Sequence, residues 1–209
     1  MNPVRTAYIR DRVDLKGKRV ADVGCGGGLL TVSLAQLGLA QRVLGVDASE
    51  ASVEAAKKYA AKHSASVDFH LGTPEDLEPN TFDVVCAMEV IEHATNTDDF
   101  LDAVLRLLPD KGEGHLFLST LDRTFASYVL GIVAAEHLFR LLPVGTHDWQ
   151  KFQKPTDLAV KLGQRGFAVR NLSAINYLYI PPSTHRACLG PFIPNTTPNF
   201  ILHAERLTC

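Results

Sequence analysis

A chain of 209 residues with 46% hydrophobic and 21% charged positions has room for one sizeable core, which excludes a disordered or fibrous protein. Its 21 Lys and Arg against 23 Asp and Glu leave no basic footprint for nucleic acid, so a small molecule is the expected partner. The four cysteines, Cys25, Cys86, Cys188 and Cys209, are scattered without a C-x-x-C pair, which fits a reducing compartment. No opening stretch reads as a signal or transit peptide. The longest nearly uncharged run, Phe125 to Ala135, falls short of the ~20 apolar residues that span a bilayer.

In chain order, Arg19 to Val23 is a short β-rich run that stops at Gly24-Cys25-Gly26-Gly27-Gly28, and Leu29 to Leu37 then carries apolar residues at helical spacing. Arg42 to Val46 reads as the second strand, ending on Asp47. Ser49 to Lys62 follows as an Ala-rich helix with Ser49 as its N-cap. Val67 to Leu71, Phe82 to Ala87 and His115 to Ser119 supply three more strands, with a helix near Asp98 to Leu108 before the last. The alternation predicts an α/β, doubly wound, mostly parallel sheet. A helix over Pro155 to Gly166 precedes two closing strands, Phe167 to Leu172 and Asn199 to Ala204, which brings the sheet to seven strands. The rhythm breaks at about residues 120–155, which read as a helical insertion covering the site after the fifth strand. The whole of 1–209 is expected to form one domain.

A glycine-rich turn after the first strand lets backbone approach a ligand at a helix N-terminus. The dinucleotide fingerprint G-x-G-x-x-G is not met, since Leu29 follows Gly28 and the spacing is G-x-G-x-G. Asp47, at the end of the second strand, is placed to accept ribose hydroxyls; its plainer role is to cap the next helix. The run Val20 to Gly28 resembles motif I of the class I S-adenosylmethionine-dependent methyltransferases, whose Rossmann-like fold and cofactor are thereby implied. By that resemblance Gly24, Gly26 and Asp47 bind S-adenosylmethionine, and Met88 packs against it unless it simply fills core.

Glu89, Glu92 and His93 form E-x-x-E-H after the fourth strand, and in a helix that spacing places all three on one face. Two carboxylates and an imidazole suit Mg²⁺ or Mn²⁺ and leave Zn²⁺ open; the alternative is a capped helix lining the pocket without metal. A divalent cation would stabilise a phenolate, whose parent phenol has an ordinary pKa near ~10.

Together with Ser119 to Arg123, this segment and Gly145 to Pro155 resemble the ubiquinone-biosynthesis O-methyltransferase family over nearly the whole chain. The resemblance implies methyl transfer to ring hydroxyls of polyprenyldihydroxybenzoate and demethylubiquinol. It implies Arg5 as a further cofactor residue and Glu89, Glu92 and His93 as ligands of a divalent metal, Mg²⁺ first. His147 is a candidate general base, the alternative being a structural loop histidine paired with Asp148. A prenylated substrate further implies a peripheral membrane contact; Phe125 to Leu142 is a candidate for that surface or for a channel taking the prenyl tail, the alternative being a buried cover helix or oligomer contact. A biosynthetic protein complex is implied too, at the matrix face of the mitochondrial inner membrane or, alternatively, in the bacterial cytoplasm. Family members carry an aromatic-rich segment before the position of Asn2, so that cap and any transit peptide are expected outside this chain. Two other readings stay open: methylation of a different small phenol or lipid, and a shortened chain that binds cofactor or partner proteins without turnover.

Overall fold

The computed structural model describes residues 2–122, 152–175, 189–191 and 199–207. Most of the expected insertion, residues 123–151, lies outside the described residues, as do the run Phe125 to Leu142 and the candidate base His147. The chain opens with α1, Asn2–Arg10, and then alternates β1, Arg19–Val23; α2, Leu29–Gln36; β2, Arg42–Asp47; α3, Glu50–Lys62; and β3, Asp68–Leu71. After these come β4, Val84–Met88; α4, Thr97–Leu105; β5, His115–Leu121; α5, Pro155–Gln164; and β6, Phe167–Ile175. The strands β7, Leu189–Pro191, and β8, Asn199–Arg206, end the fold. Ser49 caps α3 as expected, its hydroxyl accepting from the Ser52 N–H at 3.3 Å.

The sheet order is β3-β2-β1-β4-β5-β8-β6-β7. Pairing is parallel from β3 through β5 and antiparallel from β5 through β8, β6 and β7. The seven expected strands are all present. The eighth, β7, is three residues long around Gly190-Pro191, too short to carry an alternating pattern.

Because side chains alternate across a strand, each one feeds two cores. Ala21, Val85, Leu116 and Leu202 face α4 and α5 through Leu101, Val104, Leu158 and Leu162. Val20, Val84, Phe117 and Ile201 face α1 and α2 through Tyr8, Ile9, Leu30 and Leu34. With both faces covered, the free functional edge is the row of strand ends. The order reverses between β1 and β4, and such a switch point leaves a crevice at the strands' carboxyl ends. Asp122 and Gln153, within the two ends of the expected insertion, are bridged to each other at that same edge. Among the described residues, no helix is long and apolar enough to cross a membrane.

Candidate active site

A cavity of about 740 Å³ opens at the switch point, within the usual range for small-molecule sites. Gly24, Asp47, Thr73, Glu89, His93 and Phe100 are among its lining residues. Gly24 has φ +67°, and a Cβ there would run into the Val90 side chain, so this turn is open only to glycine. Gly26, at φ +52°, has empty space where a Cβ would sit, and its N–H donates to Asp47 Oδ2 at 2.8 Å. The other oxygen, Oδ1, accepts from the Ser49 N–H at 2.9 Å. Asp47 therefore ties the loop to the start of α3, and it borders the cavity with carboxylate lone pairs left to accept further donors.

Beneath the loop, Asp22 is 2% exposed and accepts from the Thr31 hydroxyl at 2.6 Å. Burial pushes its carboxyl up to about 6, against the Thr31 hydroxyl and the nearby Arg5 charge. Sequence reasoning does not single it out, although a carboxylate inside an apolar strand is itself a signal. Thr31→Val keeps the shape and removes the hydroxyl. A loss of about 1–2 kcal/mol at pH 7 is expected, seen as a lower urea midpoint at unchanged slope. Cys25, in the loop itself, is no nucleophile: burial, with Asp22 and Asp47 nearby, pushes its thiol up to about 12.

The E-x-x-E-H segment departs from expectation. It is not an α-helix: Glu89 is left-handed at φ +58°, and only Ile91–His93 form a single 3₁₀ turn. Its three side chains therefore do not share one helical face. Glu89 borders the cavity and accepts from Arg5 and, at 3.2 Å, from the Asn199 amide. Its N–H continues the β4 to β5 ladder by donating to the Ser119 carbonyl at 2.8 Å. Glu92 is buried and accepts from the Thr120 hydroxyl at 2.8 Å. Burial pushes its carboxyl up to about 7, opposed by hydrogen bonds from its own backbone and Thr120. His93 lines the cavity.

Among the described residues, the donor atoms of Glu89, Glu92 and His93 are not gathered into a three-ligand cluster. With Arg5 on Glu89 and Glu92 turned to Thr120, this arrangement does not fit a preformed divalent-cation site. Arg5 reaches the cavity wall through Glu89. Met88 ends β4 with its side chain buried in the core cluster that includes Tyr8 and Phe117. Asn199 and Thr120 support the site by binding Glu89 and Glu92; Thr120 lies in the Ser119 to Arg123 segment that carries the resemblance, whereas nothing around Asn199 announces its role.

A glycine loop and a strand-end acid at a switch point describe a nucleotide-like pocket, and comparison with known proteins narrows it. A family model described as a methyltransferase domain matches residues 14–152. The ubiquinone biosynthesis O-methyltransferase of Xanthomonas euvesicatoria pv. vesicatoria is 39% identical over 209 residues, covering 99% of this chain and 83% of that protein. The protein of the same name from Neisseria meningitidis serogroup C is 41% identical over 192 residues, 90% of this chain and 79% of its own. The magnesium protoporphyrin IX methyltransferase of Synechocystis PCC 6803, solved with S-adenosylhomocysteine, superposes with a TM-score of 0.70. That match is 23% identical and covers 98% of this chain and 81% of the other, so it speaks for the fold alone. Aligned along most of its length with relatives of one name and folded around the same sheet, this S-adenosylmethionine-dependent methyltransferase belongs to the ubiquinone biosynthesis O-methyltransferase family.

Proposed function

We propose that the chain moves the methyl group of S-adenosylmethionine onto a ring hydroxyl of a prenylated ubiquinone precursor, polyprenyldihydroxybenzoate or demethylubiquinol. The products are the methyl ether, S-adenosylhomocysteine and a proton. The observation that carries this reading is the pairing of the cavity with relatives of that activity's name over nearly the whole chain.

In this reading Gly24 and Gly26 let the loop backbone approach the methionine portion, and Asp47 takes the ribose hydroxyls. The phenol oxygen attacks the sulfonium methyl in line; the carbon–sulfur bond breaks and sulfur keeps its electron pair. Such a step depends chiefly on positioning, which the rigid strand ends provide. The phenol proton needs an acceptor. His93 borders the cavity and is one candidate. The expected His147 is another.

A divalent metal on Glu89, Glu92 and His93 would require Glu89 to exchange Arg5 for the ion. The prenyl tail favours a substrate met at a membrane surface, and a biosynthetic complex is a natural setting for so apolar an intermediate. The bacterial sources of the compared relatives favour the bacterial cytoplasm over the mitochondrial inner membrane.

Labelled S-adenosylmethionine supplied with a short-chain demethylubiquinol and with an unprenylated catechol should label the prenylated acceptor far faster. Equal rates would point to a general phenol methyltransferase. Cofactor binding without any transfer would overturn the proposal in favour of a non-catalytic chain. Repeating the assay in chelator tests the metal, since unimpaired transfer removes it from the reaction.

A further inference from the structure

The antiparallel half of the sheet gathers a second set of chemistry-bearing residues far from the cavity. In the β5 to β8 ladder His115 lies opposite Glu205, and Phe117 lies opposite His203. Directly opposed and diagonal neighbours share a face, so His115, His203 and Glu205 meet on the side covered by α1. His115 Nδ1 is 3.2 Å from His203 Nε2, and Glu205 Oε1 is 3.7 Å from the first and 3.8 Å from the second. One proton can join the two rings. The carboxylate oxygen, however, lies beyond hydrogen-bond reach of both while sitting beside the pair. A point equidistant from three atoms so spaced is about 2.1 Å from each, the ordinary length of Zn–N and Zn–O bonds.

We propose that His115, His203 and Glu205 form a binding site for a borderline divalent cation, Zn²⁺ foremost, that clips β5 to β8. Two imidazoles and one carboxylate are a donor set that such ions take, with water in the fourth position. The surroundings support the geometry. His203 is stacked on Phe117, with ring centroids 4.5 Å apart and planes 7° from parallel, which fixes its ring. Arg170 Nε binds the other oxygen of Glu205 at 2.9 Å, an outer contact that leaves Oε1 to the rings. Glu205 is 32% exposed at its side chain, so the site has a door to solvent. Burial lowers both histidines, His203 to about 4, and keeps their nitrogen lone pairs available. The cations Arg12, Lys18 and Arg170 oppose a dication here, while Glu205, Glu113 and Asp83 favour it. At a strand rise of ~3.3 Å per residue, His115 is about 13 Å along β5 from Ser119 at the cavity end, so the clip is separate from methyl transfer.

Metal-stripped full chain titrated with Co²⁺ should develop a visible ligand-field band at one equivalent, and added Zn²⁺ should bleach it. Zn²⁺ should also raise the melting temperature, as for any ligand that binds only the folded chain. Glu205→Gln and His115→Gln should each weaken the site by at least the roughly 10- to 100-fold that follows loss of even an outer-shell partner. Methyl transfer by Glu205→Gln should stay at the wild-type rate. Should His115→Gln fail to fold, Glu205→Gln decides alone, because a partly exposed carboxamide there leaves the core packing in place. No band and no zinc-dependent melting shift in the wild type would overturn the proposal, as would undiminished affinity in Glu205→Gln.

Discussion

Asp47→Ala is expected to weaken S-adenosylmethionine binding by roughly 100-fold, the largest effect on the cofactor from any single side chain described above. Two ribose hydroxyls donating to a carboxylate are worth about 1.5–3 kcal/mol each, and part of that is recovered when water replaces the carboxylate. A second loss compounds it. The Gly26 N–H at 2.8 Å and the Ser49 N–H at 2.9 Å both end on Asp47, so alanine leaves the loop and the start of α3 without their shared acceptor. Asp47→Asn separates the two contributions. Its carbonyl oxygen still accepts one backbone N–H, but its amide nitrogen accepts nothing. Calorimetry should therefore find weak binding in both variants, while thermal melting should fall further for alanine. Wild-type affinity in Asp47→Ala would remove the residue from the cofactor site.

Much of this site is legible in sequence because it is local. The run Arg19 to Asp47 contains strand, glycine turn, helix and strand within one short stretch, and the structure places each element within a residue or so of its expected bounds. Hydrophobic periodicity and glycine punctuation report such neighbours directly. The segment after β4 is the instructive miss. Glutamate is a good helix former, and E-x-x-E-H has the spacing of one helical face, yet Glu89 sits at φ +58°. Contacts from far along the chain hold it there: Arg5 is 84 residues away, Asn199 is 110, and the Ser119 carbonyl belongs to the next strand. A left-handed glutamate costs on the order of 1–3 kcal/mol, and it persists only where its surroundings over-determine it. Arg5 and Ser119 are marked by the family resemblance, but nothing local in the sequence pairs them, or Asn199, with Glu89. The His115–His203–Glu205 cluster was hidden for the same reason: it exists only once β8 pairs with β5 in one register, and periodicity gives the strands but not the pairing.

Asp22→Asn is expected to stabilise the protein, by an amount that depends on pH. The carboxyl of Asp22 is raised from 3.8 to about 6, mainly by burial. In the unfolded chain it loses its proton near 3.8, whereas in the folded chain it keeps that proton until about pH 6. A group raised in this way favours folding fully below its unfolded pKa, and that favour is lost as pH climbs through the folded value. At about 1.4 kcal/mol per unit, the loss amounts to roughly 3 kcal/mol above pH 6. Asparagine has no such titration and can still accept from Thr31. The stability difference between Asp22→Asn and wild type should therefore be near zero at pH 3.5, grow between pH 4 and 6, and level off by pH 7. Urea unfolding of both proteins across that range gives the curve directly, and a difference independent of pH would show that Asp22 is not the titrating group. The expected gain also bears on function. Asp22 lies at the end of the strand that leads into the glycine loop, and its charge is felt by Arg5 and Asp47, both beside the cavity. The stabilised Asp22→Asn variant should accordingly bind S-adenosylmethionine less tightly, which is the usual trade between a rigid core and a working site.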